Sequence, residues 1–220
     1  MSLLTVVQRF CNRSGLKTPA TAVGSVDKQI IQMVALLNEI VEDLAITRKI
    51  WTAQQREKTF TSVNTITQLD DIRTACPGIL SIVRDTLFDR TTHLPVKGPL
   101  SEQDWQAAQA VTYSSAYSNF RIMQNRLDFY PQIAAGHTIA FEYKSNALVH
   151  DEDDSTFKEY FTKDSDTFAL NEVMLISGLR WLWKKEKGLP YAEEFKSYER
   201  NVAIFGSTES TPKKLDMSGS

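Results

Sequence analysis

The stretch NFRIMQNRLDFYPQIAAGHTIAFEYKS (residues 119–145) decides the fold, because its period-two rhythm lies between long helical rhythms. Phe120 and Ile122, then Leu127 and Phe129, alternate around the polar Gln124-Asn125-Arg126, the pattern of a hairpin. In the next run Ile139, Phe141 and Tyr143 face one side of a strand, and Ala140 and Glu142 face the other. Upstream, EKTFTSVNTITQL (57–69) and ILSIVRDTLFD (79–89) are rich in Thr, Val and Ile, with the turn-rich DDIRTACPG between them. Three or four antiparallel strands of this kind make a small sheet or sandwich. One short helix interrupts them. Ser101 and Asp104 read as a capping pair opening a helix that carries Trp105, with Pro95, Gly98 and Pro99 stiffening its approach.

The flanks are helical. Leu3, Leu4, Val6, Val7 and Phe10 form a short amphipathic segment, closed by the loop NRSGLKTPATAVG (12–24). Ser25 is the expected N-cap of the next helix, where Ile30, Val34, Leu37, Val41 and Leu44 recur at three- and four-residue steps. Met33, Leu36 and Ile40 widen that stripe, so the helix should pack on more than one neighbour. From about Asp166 the chain turns helical again, with Leu170, Val173, Met174, Ser177, Trp181 and Lys184 along one seam. Gly188 ends this helix as a natural C′ residue, with Lys184, Lys185 and Lys187 against its negative end. Pro190 then opens a last helix with an apolar face of Tyr191, Phe195, Tyr198 and Val202. The order predicts an α+β fold: a helical bundle with an inserted antiparallel β-sheet or sandwich subdomain. The expected layout is one domain over residues 1–205, helical at 1–50 and 166–205, with the β-rich insertion at about 55–165. The polar tail 206–220 should be disordered when free.

Composition narrows the function. The 220 residues are 42% hydrophobic and 24% charged, with a net charge of −2, which suits a soluble globular domain. That balance gives no broad attraction to a nucleic-acid backbone. Cys11 and Cys76 have no CxxC spacing, so a structural zinc site is not expected, and two isolated thiols fit a reducing compartment. The opening MSLLTVVQRFCNRSG lacks the apolar core of a signal peptide, and no run approaches a membrane span, so the chain is expected in the cytoplasm when made, with no membrane partner.

Chemistry is hard to find. His93, His137 and His150 lie in loops or at strand edges and read as solvated histidines, since a working base needs an orienting partner. Asp151, Glu152, Asp153 and Asp154 are contiguous and lack the glycine of a calcium loop, so they read as a solvated turn. Gly98-Pro99 and Gly188-Leu-Pro are helix punctuation, not phosphate-cradling loops. Trp181, Trp183 and Tyr191 have helical spacing among leucines, which favours core or subunit-interface packing over base stacking. The expectation is a non-enzymatic protein with no cofactor and no metal.

Three stretches together carry a family likeness: FDRTTHLPVKGPLSEQDWQ (88–106), FRIMQNRLDFYPQIAAGHTIAFEYKS (120–145) and DSDTFALNEVMLISGLRWLWKKEKGLPYAEEFKSYE (164–199). In this order they resemble the head-to-tail joining proteins of tailed bacteriophages, also called neck, adaptor or head-completion proteins. The likeness spans roughly residues 25–205 and departs at TQLDDIRTACPG (67–78), where the family has a more proline- and acid-rich loop. The resemblance implies a structural virion protein of a short-tailed phage, made in the host cytoplasm and built into the neck. Such adaptors form a ring, commonly of about twelve subunits, beneath the portal protein. They extend the channel through which genomic DNA passes without sequence-specific binding, and they offer a platform to the downstream tail or nozzle protein. Family C-terminal segments often order on docking, which points to the tail and its Lys213 and Lys214. Trp181, Trp183, Tyr191 and Tyr198 become candidates for a subunit or portal interface, with packing in the subunit's own core as their other reading.

Rival readings follow from the same residues. A stopper or tail terminator would join tail components instead of the portal. A DNA-binding regulator would use Arg180, Lys184, Lys185 and Lys187 and lose affinity steeply with salt. A cell-wall hydrolase would need a paired-carboxylate or nucleophile–base motif, which the sequence does not display.

Overall fold

The computed structural model describes residues 1–47, 51–110 and 117–208. In chain order the elements begin with α1 (Leu3–Ser14), α2 (Lys28–Glu42), β1 (Gln55–Thr61), β2 (Thr67–Leu69), the one-turn α3 (Ile72–Ala75) and β3 (Ile79–Ile82). They continue with β4 (Phe88–Asp89), β5 (Leu94–Pro95), α4 (Glu102–Ala110), β6 (Asn119–Met123), β7 (Arg126–Tyr130) and β8 (Thr138–Ser145). The last are β9 (Val149–Asp151), β10 (Thr156–Lys158), β11 (Thr167–Phe168), α5 (Glu172–Glu186) and α6 (Ala192–Thr208). The fold is α+β, with antiparallel sheets.

Two compact units emerge, one from residues 1–54 with the chain from Asn146 onward, the other from Gln55–Ser145. The β-rich unit is built around β8, which pairs with β1, β3 and β4. Ile139, Phe141 and Tyr143 are buried as the alternation predicts, and Ala140 is buried on the other face as well. A second sheet, β2-β7-β6, contains the expected hairpin, with Phe120 opposite Phe129 and Ile122 opposite Leu127. Gln124 and Asn125 both take positive φ at its tip, 53° and 64°, as a two-residue turn matched to strand twist requires. Ser101 caps α4 as expected, accepting the Asp104 amide at 3.1 Å while its hydroxyl meets the Asp104 carboxylate at 2.7 Å. Gly98 is obligatory before it: at φ +145° a Cβ would lie 2.5 Å from the Phe120 carbonyl oxygen.

The helical unit has its own core. Leu3, Val7 and Phe10 of α1, Met33, Leu37 and Ile40 of α2, and Met174, Leu179 and Leu182 of α5 are buried in one cluster. Gly178 lets α5 approach α2, since a Cβ there would meet Ile40 at 3.0 Å. Several expected boundaries shift: the last helix, expected to open at Pro190, starts at Ala192 and runs to Thr208, past the tail boundary expected at 206. Asp27, not Ser25, caps α2, accepting the Gln29 amide at 2.8 Å, while the Ser25 hydroxyl accepts the Asp27 amide. The helix expected from Asp166 starts at Glu172, capped by Asn171. The β-rich insertion, expected to run to about residue 165, ends at Ser145. The short strands after it belong to the helical unit because Leu148, Val149, Phe161 and Phe168 bury into the helical cluster.

The acidic segment is not a wholly solvated turn. Asp151 is 4% exposed and Asp166 0%. Lys158 Nζ lies 2.8 Å from Asp151 and 2.7 Å from Asp166, and Lys163 Nζ reaches Asp151 at 3.1 Å. The hydrogen bond from Lys158, then that from Lys163, holds the Asp151 carboxyl well below the usual carboxylate range against the opposing effect of burial. A carboxyl with its folded pKa depressed stabilises the fold fully above its unfolded value near 4 and loses that contribution as pH falls below it. Thermal melts of the native chain should therefore fall steeply below about pH 4. Asp151→Asn should flatten that acid limb, and an unchanged limb would mean that this carboxylate does not govern acid stability.

Candidate assembly site

The C-terminal helices meet at a stiff elbow. Gly188 at φ 67° is the left-handed residue that ends α5, its amide bonding to the Lys185 carbonyl at 3.0 Å and the Leu189 amide to Lys184 at 2.9 Å. An ion pair from Lys184 to Glu194 spans the turn and holds the Glu194 carboxyl below its ordinary range. Residues two apart on a helix point about 200° from each other. Trp181 and Trp183 therefore serve different neighbours.

Trp181 faces α6. Its ring centroid lies 6.3 Å from Tyr191, 5.1 Å from Phe195 and 6.0 Å from Tyr198. Tyr198 is 1% exposed and its hydroxyl meets the Asp43 carboxylate at 3.1 Å. Trp181 is half-buried, while Tyr191 and Phe195 are 41% and 37% exposed. A cavity of about 190 Å³ opens beside them, lined by Glu39, Ile40, Asp43, Trp181 and Phe195 among others. The buried indole nitrogen of Trp181 has no hydrogen-bond partner among the described residues. Trp183 faces α1 instead, 5.7 Å from Phe10 edge-to-face, and is 9% exposed. Lys187 Nζ lies over its ring at 4.4 Å.

The structure thus brings Trp181, Tyr191 and Tyr198 together and sends Trp183 away from them. Trp183 and Tyr198 fill the subunit's own core, whereas Tyr191 and one edge of Trp181 reach the surface. Lys213 and Lys214 lie outside the described residues, as does the tail from residue 209. Phe195, read from the sequence only as part of an apolar face, completes the exposed aromatic edge.

His137 is not the solvated histidine expected. Its Nδ1 lies 2.7 Å from the Asp89 carboxylate, which also accepts the Thr91 and Thr92 amides at 2.9 and 3.2 Å. Burial pushes the Asp89 carboxyl up, but the bonds from His137 and Thr92 outweigh it and hold the group below its ordinary value. The nearby Ser62 hydroxyl donates to the Ala134 carbonyl and accepts the His137 backbone amide, so it serves the turn and not the imidazole. Among the described residues no three His, Cys, Asp or Glu side chains gather as a metal site. No described helix is long and apolar enough to cross a membrane. No protein-family model matches the chain, and no curated protein matches it.

Proposed function

We propose that this chain is a structural neck protein of a tailed phage, one that joins the portal to the tail as a subunit of an adaptor ring. The ordered landmarks over residues 25–205 support this, and the elbow geometry supplies the surface. The observation that carries the reading is the exposed aromatic edge of Tyr191 and Phe195, seated on Trp181 beside a cavity, on a unit whose own core is already closed. Rigid aromatics at the lip of a pocket are the usual energetic anchors of protein interfaces. At assembly concentrations the subunit stays monomeric, and the portal templates its addition. The DNA-binding alternative is less favoured because two of its four basic residues are engaged: Lys184 pairs with Glu194, and Lys187 meets Gln32 at 2.9 Å over the Trp183 ring.

The test is light scattering or native mass spectrometry of the purified protein, alone and mixed with its cognate portal. The native chain should add to the portal in stoichiometric copies. The double variant Tyr191→Ala with Phe195→Ala should keep its melting temperature within a few degrees and bind the portal roughly a hundredfold more weakly, as expected when two hot-spot side chains are lost. A folded native chain that ignores the portal would sink the reading and move it to a stopper or tail terminator.

A further inference from the structure

The helical unit is electrically bipolar along α1 and α5. These helices run side by side in the same direction: the N-terminal amine of Met1 meets Glu172 at 3.3 Å at one end, and Phe10 meets Trp183 at the other. The loop after β9 is tied to the first end, through the Leu3 amide to the Asp166 carbonyl at 2.8 Å and the Leu4 amide to Asp164 at 3.2 Å. Residues 151–166 carry seven carboxylates against two lysines, a net −5. The buried Asp151 and Asp166 take up Lys158. Glu152, Asp153 and Asp154 have side chains 51%, 61% and 68% exposed. Although Lys163 reaches Asp153 at 2.9 Å and Asp154 at 3.9 Å and Thr167 donates to Glu152 at 2.8 Å, the loop keeps its net negative charge. Phe157 stands at the foot of this loop, 38% exposed.

The opposite end holds a cavity of about 350 Å³ lined by Arg9, Arg13, Arg180 and Lys184 with one carboxylate, Glu194, and by Ile176, Trp183 and Leu189 among others. Arg9, Arg13 and Arg180 make no hydrogen bond or close ion pair among the described residues, although Glu172 lies within electrostatic reach of Arg9 and Glu194 within reach of Arg180. Ten helical residues, about 15 Å, separate Leu3 from Arg13. Glu172 in the first turn of α5 and Arg13 in the last turn of α1 agree with the helix dipoles, so this part of the polarity costs the fold little. It also leaves two complementary charges that one copy cannot bring together.

We infer that the Arg9–Arg13–Arg180 cavity of one copy receives the acidic loop Glu152–Asp154 of a second copy, head to tail. Guanidinium groups pair bidentately with carboxylates, and Ile176 and Leu189 give the cavity an apolar wall beside those groups. A nucleic acid is the poorer occupant: Phe10 and Lys187 already cover the Trp183 ring that would have to stack a base. Because cavity and loop are different surfaces, each copy keeps one of each free, and the contact propagates into a ring or a filament. This deepens the ring reading above and rests on it for its purpose. The contact is weak in the free chain and becomes effective when the portal holds neighbours in place.

Sedimentation velocity at high protein concentration tests it, at about 0.01 M salt, where charges act over roughly 30 Å, and at about 1 M, where they act over roughly 3 Å. The native chain should self-associate only at low salt. Arg9→Glu with Arg13→Glu, and separately Asp153→Lys with Asp154→Lys, should each weaken that association at least about tenfold, as like charges meet across the contact. An equal mixture of the two variants should restore it, since every cavity then faces a loop of opposite charge. Circular dichroism identifies a variant that is merely unfolded, and the mixture still decides because rescue needs both partners folded. A native chain that stays monomeric at low salt, or a mixture no better than its components, overturns the contact. Portal binding by the native chain, measured in parallel, separates this from failure of the ring reading: charge-dependent self-association without portal attachment would sink the adaptor role and leave the contact standing.

Discussion

Asp166→Ala is expected to destabilise the helical unit by about 3–5 kcal/mol, the loss typical of removing one partner from a buried charge pair. The side chain is 0% exposed. One carboxylate oxygen accepts the Thr162 amide at 2.7 Å and the Lys163 amide at 2.8 Å; the other lies 2.7 Å from Lys158 Nζ. Alanine leaves two backbone donors without their acceptor and leaves Lys158 leaning on Asp151 alone, each an uncompensated polar group of the kind that costs about 1–3 kcal/mol. The same loop holds the first turn of α1 by its main chain, so loosening it exposes Leu3 and Val6 as well. Asp166→Asn should lose less, because its amide oxygen can still accept the two backbone donors although it repels Lys158 with its own N–H groups. Urea titration followed by tryptophan fluorescence reads mainly this unit, since three of the four tryptophans, Trp51, Trp181 and Trp183, belong to it and Trp105 to the other. A midpoint unchanged from the native chain would mean that the loop opens apart from the helices and contributes nothing to their cooperative unfolding.

What could be read without coordinates was what is local. The hairpin at Gln124-Asn125 announced itself because period two and a two-residue polar tip are carried by adjacent residues. The Ser101–Asp104 cap spans three positions, and the aromatic helices around Gly188 obey a 3.6-residue period. Strands β9–β11 are two or three residues long, too short to carry any period, so the end of the insertion was misplaced by some twenty residues. Asp89 and His137 are 48 residues apart, and Asp166 acts on Leu3 across nearly the whole chain. Those pairings arise only from tertiary packing, and no pattern within a window of helix or strand length can announce them. The basic cavity is the same case: Arg9 and Arg13 are legible as one face of a helix, but nothing links them to Arg180 until Phe10 meets Trp183. One part of the site was legible and went unread. Two tryptophans two positions apart on a helix must point in nearly opposite directions, so Trp181 and Trp183 were never candidates for one shared surface.

That geometry separates two roles that a single alanine scan can resolve. Trp183→Ala should cost about 3–5 kcal/mol, the range for deleting a large buried aromatic, because its ring fills the space between α1 and α5 against Phe10. The cavity left behind cannot close cheaply, since Lys187 lies over the ring and its charge keeps it near water. Tyr191→Ala should cost less than about 1 kcal/mol, since its side chain is half in solvent and its single aromatic neighbour, Trp181, keeps Phe195 and Tyr198. Portal attachment should rank the two the other way around once each is measured at a temperature where both are folded. The Trp183 variant should then lose less attachment than the Tyr191 variant, because its ring packs against Phe10 and only borders the basic cavity, whereas Tyr191 stands at the exposed aromatic edge. A Trp183→Ala protein of native stability that no longer attaches would place that ring in the interface, and the division of labour at the elbow would have to be redrawn around α1.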